Sequence, residues 1–72
     1  MPGPECLNPR ERAVAALTAE SWPAKRVAAT LEISKPRVYQ ILIDIERKAQ
    51  LPAEGDRRLA VARWWWKVVG DG

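Results

Sequence analysis

The sequence contains no histidine, a single cysteine and no long run of apolar residues. Without histidine, a zinc site lacks its usual nitrogen ligands and the commonest general base of enzymes is missing. Cys6 alone forms no intramolecular disulfide and suits a reducing compartment. A membrane-spanning helix needs about 18 apolar residues in a row, and there is no charged-then-apolar leader. We therefore expect a cytoplasmic protein that is not an enzyme, uses no metal or other cofactor and makes no membrane contact.

The length and the charge pattern narrow the class of protein further. The 72 residues, 47% of them hydrophobic, suffice for one small domain. The net charge is +3: residues 1–34 carry four basic and four acidic groups, whereas residues 35–72 carry eight and five. The basic excess therefore lies in the second half, a pattern that is compatible with nucleic-acid binding without establishing it.

Prolines, glycines and capping residues predict where the regular structure begins and ends. Residues 1–6 read as a flexible tail and residues 7–70 as a single domain. No segment alternates with the period of a strand. The predicted fold class is all-α, with four helices over Pro9–Ala19, Ala24–Leu31, Lys35–Ala49 and Asp56–Val69.

The second and third predicted helices have the features of a helix-turn-helix, with the third as recognition helix. Ala28 is small where the two helices cross, and Ile33 is placed to fill the turn. Glu32 stands where glycine is common, because that position often has a left-handed conformation. The core positions of the two helices are Val27, Leu31, Val38, Ile41 and Leu42.

A projection of the third helix at about 100° per residue separates a buried from an exposed face. Val38, Leu42, Ile45 and Ala49 fall on one side, and the opposite side is the predicted DNA-reading face. Its members are Lys35, Pro36, Arg37, Tyr39, Gln40, Ile43 and Arg47.

The side chains of that face suit the chemistry of a DNA duplex. Gln40 can pair bidentately with adenine, and Tyr39 can bond to a phosphate or stack. Ile43 can touch a thymine methyl group or belong to a protein contact. The expected phosphate contacts from this helix are Lys35, Arg37 and Arg47.

The same residues carry a resemblance to a known family. The segments Leu7–Arg12, Lys25–Ala28, Leu31–Ser34, Val38–Leu42 and Arg47–Lys48 resemble the DNA-binding domain of LuxR-type transcription regulators and, more loosely, region 4 of bacterial sigma factors. The resemblance implies a third helix in the major groove and a fourth helix that pairs with a second copy. It also implies base reading by Tyr39, Gln40 and Ile43, and a backbone contact by Lys25. Because the sequence shows no sensing domain, the resemblance is to the stand-alone members. Its short length leads us to expect a phage or mobile-element regulator or a small bacterial one.

Three consecutive tryptophans in the fourth helix span about 200°, so they cannot all face one small core. We expect Trp66 to pack on the core with Leu59, and Trp64 to be left exposed. Aromatic side chains are enriched at protein interfaces. The predicted dimer or partner interface therefore comprises Val61, Trp64, Trp65 and Val68.

Two functions fit these patterns. The first is a transcription regulator that binds double-stranded DNA sequence-specifically as a homodimer. Its half-sites lie about one helical turn apart or at a spacing set by the contact between the fourth helices. The second is an adaptor or inhibitor that acts through its tryptophan-rich helix on RNA polymerase or another regulator.

Overall fold

The structure, a computed structural model, describes residues 2–52 and 55–70. Within these ranges the chain is helical and has no strand, which confirms the all-α prediction. The predicted break at residues 51–55 includes Ala53 and Glu54, which lie outside the described residues. A short 3-10 helix, Pro4–Cys6, precedes four α-helices: α1, Pro9–Ala19; α2, Ala24–Leu31; α3, Lys35–Lys48; and α4, Arg57–Gly70.

Three helices, α1, α3 and α4, begin at side-chain caps that satisfy backbone N–H groups with no partner inside the helix, whereas α2 begins after Pro23 without one. At α1 the Asn8 side chain accepts from the Glu11 amide at 2.8 Å, and the Glu11 carboxylate accepts from the Asn8 amide at 2.9 Å. Ser34 accepts from the Arg37 amide at 3.2 Å. Asp56 accepts from the Arg58 amide at 2.9 Å. These contacts set where α1, α3 and α4 begin.

One apolar core joins the four α-helices, with α1 packed against α3 and α4, and α2 packed against α3. The predicted buried face of α3 is confirmed. On α1, Val14, Ala15 and Thr18 are buried, while Ala13, Ala16 and Leu17 are half-buried. The most deeply buried large side chains are Val14, Val27, Val38, Ile41, Leu42, Ile45 and Val61.

Residues 2–6 correct the prediction of an unstructured tail. The Pro2 carbonyl accepts a hydrogen bond from the Trp64 indole at 3.1 Å, and the Pro4 carbonyl accepts from Arg12 Nε at 3.1 Å. Leu7 is buried and Cys6 packs against the core. Prolines and a glycine predict an irregular segment, whereas Pro4–Cys6 form a 3-10 helix and Cys6 packs against the bundle. Met1 lies outside the described residues.

Two ion pairs join helices that are separate in sequence. Lys48 Nζ lies 2.8 Å from the buried Glu11 carboxylate, which links α3 to α1. Arg57 Nε lies 2.9 Å from the buried Glu46 carboxylate, which links α4 to α3. The hydrogen bond to Glu11 raises the pKa of the Lys48 ammonium above its ordinary value. Each of these cations neutralises a carboxylate that the fold has buried.

The turn between α2 and α3 has the left-handed residue that the sequence predicted. Glu32 has φ 58° and ψ 43°, a conformation that crowds the Cβ atom of any residue except glycine. The turn is closed by a hydrogen bond from the Ile33 amide to the Ala28 carbonyl at 3.0 Å. Three residues, Glu32, Ile33 and Ser34, thus connect α2 to α3.

Substitution of Glu32 by glycine is expected to stabilise the protein by about 1 kcal/mol, because glycine relieves the crowding at positive φ. The matched control is Ala29→Gly, at an exposed position inside α2. There glycine should destabilise by about 1 kcal/mol, since it raises the entropy cost of forming the helix. Urea denaturation measures both changes. A loss of stability in both variants would contradict the geometry of the turn.

Candidate nucleic-acid interface

α2, the turn and α3 form a helix-turn-helix unit whose inner side is fully packed. Val27, Val38 and Leu42 are each 1% exposed, and Ala28, at the crossing of the two helices, is 6% exposed. Ile33 in the turn packs against the same core. A small side chain at position 28 allows the two helix backbones to approach closely. The packing fixes the direction in which α3 presents its outer side.

The outer side of α3 is open to solvent, as the helical projection predicted. We call it the α3 face. Ile43 is half-buried and Tyr39 is 38% exposed. The other predicted members of the face are all exposed: Lys35, Pro36, Arg37, Gln40 and Arg47. The structure therefore brings the candidate base-reading and phosphate-binding residues of α3 onto one accessible surface.

The start of α2 carries two further cations. Lys25, which the LuxR-type resemblance assigned to the DNA backbone, is exposed. Arg26 beside it was not a predicted site residue, and its guanidinium carbon lies 4.1 Å from the centroid of the Trp22 ring. Such a cation–π contact orients the guanidinium while leaving its donors free for an anion. The spacing of Trp22 and Arg26 is the sequence feature that could have predicted this contact. An aromatic residue and a cation four residues apart are too common, however, to identify a site.

Gln40 and Asp44 form a second pair that the sequence analysis missed. Gln40 Nε2 donates to Asp44 Oδ1 at 3.3 Å, one turn further along α3. The i, i+4 spacing of an amide and a carboxylate is the signal that predicts this bond. One N–H of Gln40 is then engaged, while its carbonyl oxygen and second N–H are left for a base. That pair of groups is what bidentate recognition of adenine requires.

The orientation of α4 overturns the predicted roles of its tryptophans. Trp64 is 3% exposed and Val61 is fully buried, so these residues of the predicted interface belong to the core. Trp65 and Val68 are half-buried and pack against the same core. Trp66, expected in the core, is 52% exposed. The prediction was wrong because α4 has apolar residues on all sides, so its sequence alone does not show which side faces α1 and α3.

The exposed side of α4 is nevertheless apolar, and we call it the outer α4 face. It consists of the exposed Leu59, Trp66 and Val69 and the half-buried Ala62. Leu59 is 49% exposed and Val69 is 42% exposed. Trp66 Nε1 donates to the Ala19 carbonyl at 2.9 Å, which ties the indole to the end of α1. No helix within residues 2–52 and 55–70 has the length and apolar character to cross a membrane.

Comparison with known proteins gives no family assignment: no family model, curated protein or solved structure matches this chain. The resemblance to LuxR-type regulators therefore stays a prediction, and the function has to be argued from the geometry of α2, the turn and α3.

Proposed function

We propose that this chain is a sequence-specific DNA-binding protein that regulates transcription in the cytoplasm by placing α3 in the major groove. The observation that carries the proposal is the helix-turn-helix geometry, in which a packed inner side presents the exposed α3 face. The B-DNA major groove is about 12 Å wide and admits one α-helix. The resemblance of the sequence to LuxR-type regulators supports the same function.

The residues of the α3 face divide into two roles. Gln40 and Tyr39 reach base edges, and half-buried Ile43 meets the methyl group of a thymine. Four cations, three on this face and one on α2, bind phosphates and set the position of α3 in the groove. These are Lys25 on α2 and Lys35, Arg37 and Arg47 on α3.

Gln40→Ala is expected to relax base preference at one position of the bound site by about 1–3 kcal/mol. The variant loses a bidentate hydrogen-bonding group but no charge, so its affinity for random duplex should be unchanged. Competition binding with selected and random duplexes measures the difference. An equal loss on both duplexes would contradict the assignment of Gln40 to a base. Asp44→Asn is the control, because it alters the hydrogen-bond partner of Gln40 and leaves the Gln40 amide in place.

Arg47→Ala is expected to weaken binding to all duplexes alike, because a phosphate contact carries no sequence information. The slope of log affinity against log salt concentration should fall in magnitude by about 1, as one fewer counterion is released. A salt titration by fluorescence anisotropy measures the slope. Arg10→Ala, an exposed arginine of α1, is the matched control and should leave the slope unchanged. A change in base preference in the Arg47 variant would contradict its role.

The proposal as a whole is tested by selection from a random duplex library at about 0.15 M salt, followed by sequencing. Enrichment of one motif supports base reading, whereas retention without enrichment would overturn it. The homodimer stays a prediction, but burial of Val61 and Trp64 removes much of the surface on which it was based. An inverted repeat in the selected sites would support the homodimer. A single half-site would show that one copy of the protein suffices for binding.

A further inference from the structure

The outer α4 face has the spacing of a helix-packing seam. Leu59, Ala62, Trp66 and Val69 follow one another at intervals of three, four and three residues. This is the a/d pattern by which one α-helix packs against another. α4 therefore has two apolar sides: the inner side packs on α1 and α3, and the outer side has the pattern for a further helix. Exposed apolar patches of this kind mark interaction sites.

Trp66 is fixed in the conformation in which it is exposed. Its indole N–H already donates to the Ala19 carbonyl at 2.9 Å, so the surface that it offers to a partner is purely apolar. A side chain that is held before binding loses little rotamer entropy on binding, which favours affinity. Tryptophans that become buried when a partner binds are frequent hot spots of protein interfaces.

A depression of about 180 Å³ adjoins the N-terminal half of this face. Leu59 and Ala62 belong to both the face and the depression. Small-molecule sites usually enclose about 300–1,000 Å³, so this depression suits one side chain of a docked helix better than a separate ligand. The residues that line it are Thr18, Ser21, Asp56, Arg58, Leu59 and Ala62.

The charges of α4 decide between a second copy and a different partner. Residues 57–70 contain four basic side chains and no aspartate or glutamate. Arg57 is paired with Glu46, and Arg58 donates to the Trp22 carbonyl at 2.7 Å. Arg63 and Lys67 are exposed on either side of Trp66 in sequence and have no ion pair among the described residues. Two copies packed through this face would bring their cations together, whereas a helix with carboxylates beside its apolar stripe would neutralise them.

We propose that the outer α4 face binds an acidic amphipathic α-helix of another protein. The apolar stripe of that helix packs on Leu59, Trp66 and Val69, and its carboxylates meet Arg63 and Lys67. This inference goes beyond the proposed DNA binding and uses no residue of the α3 face.

The test uses two synthetic helical peptides with leucine at every a and d position, one flanked by glutamates and the other by lysines. Fluorescence anisotropy of the labelled peptides with the full chain should show binding of the glutamate peptide and none of the lysine peptide. Trp66→Ala should weaken that binding by at least about tenfold. Leu59→Ala, which removes less surface, should weaken it as well, and circular dichroism checks that both variants stay helical.

The charge requirement has its own matched pair of variants. Arg63→Glu should weaken binding of the glutamate peptide by at least about tenfold, whereas Arg10→Glu, with the same net charge but located on α1, should not. Equal binding of both peptides, or equal loss in both variants, would overturn the proposal.

Results that assign this face to a different occupant, or the peptide to a different face, would overturn the proposal. Sedimentation of the protein alone would reveal a dimer that Trp66→Ala abolishes, and the face would then belong to a second copy. Binding to vesicles of phosphatidylserine and phosphatidylcholine without binding to the glutamate peptide would assign it to a membrane surface.

Peptide binding that survives Trp66→Ala but is lost in Arg47→Ala would place the peptide on the α3 face. Gln40→Ala should leave peptide binding unchanged, so failure of the DNA proposal is distinguishable from failure of this one.

Discussion

Replacement of Trp64 by alanine is expected to lower the free energy of unfolding by about 3–5 kcal/mol. The side chain is 3% exposed, and its indole N–H donates to the Pro2 carbonyl at 3.1 Å. The variant loses this hydrogen bond, leaves a large cavity between α4 and the bundle, and releases the N-terminal segment. A core of this size rarely supplies more than about 3–5 kcal/mol of stability. We therefore expect the variant to be largely unfolded at 25 °C, measured by circular dichroism and urea denaturation.

Trp66→Ala is the matched control for that experiment, since it removes the same side chain two residues further along α4. Trp66 is 52% exposed and makes one hydrogen bond to the Ala19 carbonyl. Its loss should cost about 1–2 kcal/mol, from one hydrogen bond and partial burial. A greater loss of stability for Trp66→Ala than for Trp64→Ala would contradict the orientation of α4.

Leu42→Ala is expected to lower the free energy of unfolding by about 2–5 kcal/mol, because Leu42 is 1% exposed in the core beneath α3. Any DNA binding should disappear in proportion to the unfolded fraction and return when the variant is cooled or stabilised. Denaturation curves and DNA titrations at matched temperatures measure both effects.

Ile43→Ala, one residue along α3, should behave in the opposite way. Ile43 is half-buried on the α3 face, so its truncation costs only about 1 kcal/mol of stability. Base preference should nevertheless weaken, because the thymine methyl group loses its apolar partner. If Ile43→Ala left the selected motif unchanged, Ile43 would be a structural residue and the α3 face would read bases through Tyr39 and Gln40 alone.

Helix ends were predictable because the interactions that set them are local in sequence. The Asn8–Glu11 reciprocal cap, the Ser34 cap and the Asp56 cap each join residues two or three positions apart. The α3 face was predictable for a related reason: the core residues of α3 repeat with the helical period on the opposite side of the helix. The left-handed conformation of Glu32 followed from its position in the helix-turn-helix, where glycine is common.

Other features depend on contacts between distant residues and were missed. Lys48 and Glu11, 37 residues apart, form an ion pair only because α3 packs across the start of α1. The N-terminal residues were expected to be irregular, and the carbonyl of Pro2 instead receives the indole of Trp64, 62 residues away. Composition and spacing report local preference, and neither of them specifies which helices become neighbours.

The sequence by itself determined four helices, their caps, the tight turn and the solvent-facing side of α3. Only the tertiary structure decided the roles of the tryptophans, because α4 is apolar on every side and its own period favours no orientation. Packing against α1, α3 and residues 2–7 buries Val61 and Trp64 and leaves Leu59, Trp66 and Val69 exposed. A helix that is amphipathic orients itself by its own sequence, whereas a helix that is apolar all round is oriented by the shape of the neighbours it fills.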